Sequence, residues 1–338
     1  MRVASLLITS ALLTTVLAVP GRHASGDGHI YGPAIQQTLN DLPIREALQL
    51  SPEFLNSVLE VGGDASRGSR AKFALLKGLN EFRKQDYKLA IETLTLAIDL
   101  SPGDAGAYWL RARAFGEDGQ QTRAKEDCRK ALEIDEDFRP AFLTLAAATL
   151  DTDGADEMLL MLSQPGSPET DQNEVGYESY LKALAYLKKS QPELAVKYLE
   201  AALHGSWSYM SLRTDQVYFA KAVAHVQLGE DEKALQSTQR AVEGDFSKQS
   251  YLPLMWRLQR KRGDYLAAFY TANQISAFNK NNATKRLMLL QSLIDLKQFS
   301  LAEDEATAIL SIDPESKAAE QALAHLHFAR KPTPGKIQ

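Results

Sequence analysis

Small residues recur along this 338-residue chain at a spacing of about 34 residues. Ala90 and Ala124 are 34 residues apart, and Ala234, Ala268 and Ala302 follow one another at the same interval. Four alanines are followed seven residues later by another alanine: Ala90 by Ala97, Ala124 by Ala131, Ala195 by Ala202 and Ala234 by Ala241. A fixed period of this length is typical of arrays of helical hairpins, in which each unit packs only against its neighbours.

Helix packing explains why small residues must recur. Two antiparallel helices of about 13 residues approach closely only where the facing side chains are small, and large apolar side chains fill the grooves beside them. In the first unit we expect Gly78 to be the point of close approach and Pro102 to end the second helix. The period predicts seven units: 71–104, 105–138, 139–172, 176–209, 215–248, 249–282 and 283–316.

Several stretches share the same turn and start of a second helix. They are residues 82–91, 123–135, 229–235 and 263–268, and residues 309–314 repeat the exit from a second helix. These stretches resemble the tetratricopeptide repeat (TPR) family, and the resemblance covers about residues 71–330. It implies helix–turn–helix units stacked into a right-handed superhelix with a concave groove. The predicted fold is therefore all-α: an alpha-alpha superhelix, or solenoid, of about seven TPR-like helical hairpins, closed by a capping helix over residues 317–330.

The N-terminal residues have the pattern of an export signal. Arg2 precedes an uncharged, mostly apolar run over residues 3–19, with small residues near Ala18. This pattern predicts a signal peptide over residues 1–18 and an exported protein, periplasmic or secreted. The run is at the short end for a membrane span, which needs about 20 apolar residues. An uncleaved segment that anchors the chain in the membrane is the alternative. The other predicted segments are a flexible linker (19–33), a short helical lead-in (34–70), the TPR superhelix (71–330) and a tail (331–338).

The charge balance limits the class of partner. The chain has 38 Lys and Arg against 43 Asp and Glu, a net charge of -5, whereas proteins that coat nucleic acids carry a basic surplus. Its single cysteine, Cys128, excludes an internal disulfide and a cysteine-built metal site, and the position four residues after Ala124 predicts burial. We therefore predict a protein or peptide partner and no nucleic acid, with membrane contact only through a retained signal segment.

Motifs for catalysis and cofactor binding do not occur in the sequence. It has no phosphate-binding loop, no dinucleotide-binding glycine pattern and no nucleophile elbow. His325 and His327 are two residues apart, so on a helix they point to different sides and cannot share a metal. The sequence predicts a protein that is not an enzyme and has no cofactor or metal. An alternative is an enzyme, or an enzyme's regulatory subunit, that uses the irregular loop 163–175 or the segment 204–214.

The family resemblance also implies where a partner binds. In such an array the first helix of each unit lines the concave groove. The predicted groove residues are Lys72, Arg83, Trp109, Arg113, Tyr177, Tyr180, Phe219, Arg257, Arg260 and Lys261. They predict a groove with an aromatic middle and a basic C-terminal end, suited to a peptide that carries an apolar anchor and an acid group. The alternative is that Tyr180 and Phe219 pack between hairpins and that the C-terminal cations form a solvated face.

One ligand class known for the family does not fit the residues present. Some members hold the C-terminal carboxylates of heat-shock chaperones with Lys, Asn and Arg side chains. The matching positions here carry neither an amide nor a cation: Leu75, Leu79, Leu110, Pro140 and Thr144. The sequence therefore predicts a non-catalytic exported scaffold or adaptor that binds another protein segment in its groove. A structural or self-assembling spacer is the alternative.

Overall fold

The described part of the chain is entirely helical, as the repeat pattern predicts. A computed structural model describes residues 67–152, 154–164, 175–205, 214–246 and 248–329, and within them fifteen α-helices and one 3₁₀ helix occur and no strand. Internal contacts divide the chain into two compact units, residues 1–181 with 205–211 and residues 182–204 with 212–338. The predicted signal peptide, linker and tail, most of the lead-in and the interior of the 163–175 loop lie outside the described residues.

The first unit consists of three helical hairpins and the beginning of a fourth. Its helices are α1 (Arg67–Arg83), α2 (Tyr87–Leu100), α3 (Ala105–Glu117), α4 (Gln121–Ile134), α5 (Arg139–Thr152), α6 (Ala155–Ser163) and residues 175–181 of α7 (Val175–Lys188). Helices α1 and α2 approach each other closely at Gly78. A Cβ placed there would lie 2.5 Å from Cγ of the fully buried Leu94, which confirms Gly78 as a point of close approach.

The second unit continues the same pattern. It contains residues 182–188 of α7 and then α8 (Pro192–His204), α9 (Thr214–Gln227), α10 (Asp231–Gly244), the 3₁₀ helix Gln249–Tyr251, α11 (Leu252–Arg262), α12 (Tyr265–Phe278), α13 (Ala283–Asp295), α14 (Phe299–Ile312) and α15 (Lys317–Ala329). Helix α15 buries Ala319 and Leu326 in one apolar cluster with Leu290 and Ile309. It therefore covers the last hairpin, as the capping prediction requires.

The repeated alanines form the contact surfaces between helices. All ten are at most 2% exposed: Ala90, Ala97, Ala124, Ala131, Ala195, Ala202, Ala234, Ala241, Ala268 and Ala302. Their small side chains let paired helices pack closely while neighbouring leucines fill the grooves. The structure thus confirms the alpha-solenoid fold class that the 34-residue period predicts.

Residues with positive φ recur at one position in the tight turns inside the hairpins. Each follows the end of a first helix by one or two residues, with φ between 54° and 86°: Gln85, Gly119, Ser190, Gly229, Gly263 and Lys297. In each turn the next residue donates its backbone N–H to a carbonyl in the last turn of the first helix, as Gln120 does to Phe115 over 2.8 Å. This left-handed residue ends the helix and reverses the chain.

Candidate functional site

The first unit brings a group of mainly basic and aromatic side chains together on its first helices, α1, α3 and α7, and at the start of α2. We call it the Arg113 cluster: Phe82, Arg83, Tyr87, Trp109, Arg113, Glu117 and Tyr177. The guanidinium carbon of Arg113 lies 4.7 Å from the ring centroid of Phe82 and 5.5 Å from that of Trp109. Such cation–π contacts hold a guanidinium in place without neutralising it. Arg113 forms no ion pair with the residues that the structure describes.

Burial raises the free energy of the charged groups in this cluster. It lowers the pKa of Arg113, and the nearby charge of Arg83 acts in the same direction, while Tyr177, Glu117 and Tyr87 oppose it. Burial also lowers the pKa of Arg83 and raises the pKa of Tyr177 to about 12, so the phenol stays neutral. A cation that has lost part of its hydration gains more from an incoming anion than a solvated one does. The cluster is therefore suited to an acidic group.

Trp109 does not offer its ring to a ligand, and its prediction as an accessible groove residue is wrong. The side chain is fully buried, and its Nε1 donates a hydrogen bond to Oγ1 of Thr144 on α5 over 2.9 Å. Its ring also meets Phe138 edge-on at 5.8 Å. An indole with both its apolar body and its N–H satisfied packs between hairpins. The role of Trp109 in the cluster is thus to contact the Arg113 guanidinium from the buried side.

Of two other predicted residues of the first unit, Tyr180 flanks the cluster and Lys72 lies near the other end of α1. Tyr180 on α7 is half-buried, with its ring 6.4 Å from that of Tyr177. Lys72 on α1 is half-buried, and burial lowers its pKa while the charge of Asp104 raises it. Both leave part of their surface accessible beside the first helices. Five predicted groove residues of the first unit are therefore partly exposed on the helices where the sequence places them: Lys72, Arg83, Arg113, Tyr177 and Tyr180.

In the second unit, Phe219 packs against the next hairpin. Its ring stacks on Tyr251 at a centroid distance of 4.5 Å, and the Tyr251 hydroxyl donates a buried hydrogen bond of 2.8 Å to Asp215. Asp215 and Phe219 both lie on α9, so Tyr251 is held by two points of the same helix. This geometry favours the alternative in which Phe219 packs between hairpins.

The predicted basic end is largely neutralised by carboxylates. Arg260 donates from Nε to Asp295 on α13 at 2.5 Å and from its NH2 nitrogen at 3.1 Å, and its guanidinium also lies over Trp256. Lys261 pairs with Asp231 on α10 at 2.5 Å. Of the three predicted cations, only Arg257 is exposed and without an ion pair among the described residues. The expectation of a strongly basic surface here is therefore corrected, because partners from neighbouring hairpins neutralise two of the charges.

The described residues give no structural indication of metal or thiol chemistry. No group of three or more His, Cys, Asp or Glu in the described ranges could hold a metal ion. Cys128 is buried, as predicted, and burial raises the pKa of its thiol far above the ordinary range, so it stays protonated. None of the described helices has the length and apolar character needed to cross a membrane.

Comparison with known proteins identifies the repeats. Models of the tetratricopeptide repeat family match residues 105–138 and residues 180–251. The chain contains tetratricopeptide repeats. The TPR units match the predicted resemblance and cover hairpins in both halves of the sequence. Since arrays of this kind are protein-interaction scaffolds, the TPR fold points to a non-catalytic role.

Two relatives show how far the similarity of the TPR chain extends. A "Protein SGT1 homolog" of Oryza sativa subsp. japonica is 39% identical over 69 residues, which is 20% of this chain and 19% of the rice protein. A chain in the crystal structure of the APC/C hetero-tetramer Cut9-Hcn1 superimposes with a TM-score of 0.57 at 14% identity, covering 94% of this chain and 59% of that one. This chain therefore spans less than two thirds of either relative, and the second likeness concerns the fold alone.

The TPR positions that would form a carboxylate clamp are occupied by core residues. Leu75, Leu79 and Leu110 are at most 1% exposed, and Thr144 accepts the hydrogen bond from Trp109. The Arg113 cluster uses other positions of the first unit and includes three residues that the groove prediction missed: Phe82, Tyr87 and Glu117. A signal for Phe82 and Tyr87 was present, since both belong to the turn stretch 82–91 that carries the family resemblance.

Proposed function

We propose that this chain is a non-catalytic, exported scaffold that binds a protein or peptide segment at the Arg113 cluster of its first unit. The observation that carries the proposal is the Arg113 guanidinium, stacked on Phe82 and Trp109 and without a direct ion pair among the described residues, although the charge of Glu117 acts on it. A carboxylate of the partner would form the direct ion pair that Glu117 does not make. The half-buried rings of Tyr177 and Tyr180 would contact an apolar side chain next to it.

The charges of this face favour an acidic segment over a neutral one. Arg83 and Arg113 are both partly withdrawn from water, and burial lowers the pKa of each. Bringing an anion to such cations restores favourable interactions that hydration no longer supplies. A charge-assisted hydrogen bond to a carboxylate contributes about 1.5–3 kcal/mol, which corresponds to roughly ten-fold or more in affinity.

Fluorescence anisotropy with two labelled peptides tests the binding proposal. One short peptide combines acidic and aromatic residues, and the other has the acidic residues replaced by their amides. We expect the acidic peptide to bind more tightly, and Arg113→Gln to weaken it about ten-fold or more while the melting temperature stays close to wild type.

Arg257→Gln is the matched control. It removes the same charge from an exposed arginine on α11 in the second unit, so it should leave the affinity unchanged. Equal affinities for Arg113→Gln and wild type would refute the proposed site. Failure of both peptides to bind would favour the spacer alternative.

We also propose export on the basis of residues 1–19, whose charged start and apolar run have the composition of a signal peptide. The intact mass of the chain recovered from the exported fraction tests this directly. We expect loss of about 18 N-terminal residues, as the position of Ala18 predicts. A full-length chain that stays with the membrane would instead support the anchored alternative.

A further inference from the structure

Helix α12 has an exposed face without any charge. Its fourteen residues include no Asp, Glu, Lys or Arg. Four large side chains on it are well exposed: Tyr265 (43%), Leu266 (55%), Tyr270 (63%) and Phe278 (57%). The other exposed residues of the helix, Asn273, Gln274 and Ala277, are also uncharged. We call these seven residues the α12 face.

The other second helices show that the fold does not require such a face. One repeat before Leu266 and Tyr270, at the same exposed positions, α10 has Glu232 and Gln236. The position of Leu266 is polar in all six other second helices: Lys88, Thr122, Asp156, Glu193, Glu232 and Ser300. The position of Tyr270 is polar in five of them: Glu92, Glu126, Lys197, Gln236 and Asp304. The apolar residues of α12 therefore serve something other than the core of the hairpin.

The absence of charge indicates which occupant fits this face. In a symmetric contact between two copies of a chain, the patch of one copy packs against the same patch of the other. Charges of a single sign in the patch would therefore repel the same charges of the second copy. A face with no charge at all avoids this repulsion. A charged partner, in contrast, would be matched by complementary charges on α12, and the helix has none. Aromatic enrichment with depletion of charge is also the composition found at the centres of protein interfaces.

The size of the face agrees with a weak contact. Side chains of this kind have about 150–250 Å² of accessible surface each, so the four exposed ones present roughly 400 Å². This lies within the ~300–600 Å² of the largest apolar patch on a typical monomer, a patch that is often functional, and is about half of the ~800 Å² that each partner buries in a standard interface. Uncharged neighbours on the same face, such as Asn273 and Gln274, would add to the buried area.

We propose that the α12 face is a self-association surface, through which a second copy of this chain binds α12 against α12. The contact lies in the second unit, away from the residues of the Arg113 cluster along the chain. It therefore does not rest on the peptide-binding proposal. Two chains joined in this way would present two Arg113 clusters in one assembly, which increases the apparent affinity for a partner with repeated binding segments.

Sedimentation velocity of the purified full chain over a concentration series tests the proposal. We expect the mass to rise with concentration toward twice that of one chain. The double variant Leu266→Glu, Tyr270→Gln carries the residues that α10 has at these positions, so it is compatible with the repeat. It should stay monomeric at concentrations where wild type is mostly dimeric, with an unchanged circular dichroism spectrum and melting temperature.

Leu96→Glu is the matched control, because Leu96 is exposed to a similar extent (51%) on α2 of the first unit. It should dimerise like wild type. A second measurement uses Asn273→Cys at the centre of the face, where the buried Cys128 does not compete. Mild oxidation should link two chains by a disulfide, and the link should disappear when Leu266→Glu and Tyr270→Gln are added.

Three outcomes would overturn the proposal. Wild type could remain monomeric throughout the series, or the double variant could dimerise as strongly as wild type. The third is sedimentation of a monomeric wild type with zwitterionic lipid vesicles, lost in the double variant, which would assign the face to a membrane surface instead.

Discussion

Nε1 of Trp109 donates a hydrogen bond to Oγ1 of Thr144, and this bond joins α3 to α5, the first helices of consecutive hairpins. The second unit has the same kind of link, since Nε1 of Trp256 on α11 donates to Oγ of Ser292 on α13 over 2.8 Å. Donor and acceptor are 35 residues apart in the first pair and 36 in the second, which is close to one repeat. Each indole N–H thus donates a hydrogen bond to a hydroxyl about one repeat further along the chain.

Thr144→Val removes this acceptor while keeping the shape of the side chain. The Trp109 N–H then remains buried without a partner, which costs about 1–3 kcal/mol. We expect a lower urea midpoint for unfolding than in wild type. Ser292→Ala should have a smaller effect, because Trp256 is half-buried and its N–H is less desolvated than that of the fully buried Trp109. Equal losses in the two variants would show that burial of the indole does not set the size of the effect.

Gly78→Ala tests the close approach of α1 and α2. The new Cβ would lie 2.5 Å from Cγ and 2.7 Å from Cδ2 of Leu94, so the leucine must move within a packed core. Such overpacking costs about 1–3 kcal/mol, partly offset by the better helix propensity of alanine. Gly103→Ala meets no atom within 4 Å and serves as the control in thermal unfolding. In a Leu94→Ala background the penalty of Gly78→Ala should vanish.

Lys297→Gly tests the left-handed turn position. Lys297 has a φ of 58°, which an L side chain adopts at a cost of about 1–2 kcal/mol, whereas glycine adopts it freely. After the greater entropy of the unfolded glycine chain is counted, we expect a gain of about 0.5–1 kcal/mol in unfolding free energy. Gly263→Ala is the converse change, with a φ of 86° and no atom within 4 Å, and it should destabilise. A loss of stability in Lys297→Gly would contradict the argument.

Glu81→Gln should change how stability depends on pH. Glu81 on α1 is buried, and burial raises the pKa of its carboxyl above the ordinary value of 4.5, against the opposing effects of Thr93 and Lys77. The folded state therefore holds this proton more tightly than the unfolded state, and stability falls as pH rises from about 4.5 through the folded pKa. The glutamine keeps a hydrogen bond but has no ionised form.

The expected result is a higher melting temperature than wild type at neutral pH and a similar one at about pH 4, below the ordinary carboxyl pKa. The chain already contains this replacement at the equivalent position five repeats later, where Oε1 of Gln259 accepts a hydrogen bond from Oγ1 of Thr271 on α12 over 2.8 Å. Melting curves recorded from acid to neutral pH check the prediction. A variant that is less stable than wild type at neutral pH would show that the Lys77–Glu81 contact outweighs the burial of the charge.

The hairpins could be predicted from the sequence because their main contacts repeat with the period. Ala90, Ala124 and Ala268 mark the second helices, and each is buried as the spacing requires. The pairing of α1 with α2 at Gly78 followed from the same packing argument. These contacts join residues within one hairpin, so the local pattern contains the information needed to place them.

The errors at the candidate site come from contacts between neighbouring hairpins. Trp109 is buried because Thr144 offers an acceptor 35 residues away, and Arg260 is neutralised because Asp295 lies 35 residues away. The sequence shows each residue but not that the two side chains meet. The fate of a large or charged side chain on a first helix thus depends on which partner the next repeat supplies.

The left-handed residue that follows six of the seven first helices gives these tight turns a common geometry. Gln85 and Gly119 are 34 residues apart, and so are Gly229 and Gly263, and then Gly263 and Lys297. A genetic duplication or deletion that joins the chain at two of these points would therefore restore a complete turn at the junction. Gain or loss of a whole hairpin between related genes would then require substitutions only on the helix surfaces that contact the preceding and following hairpins.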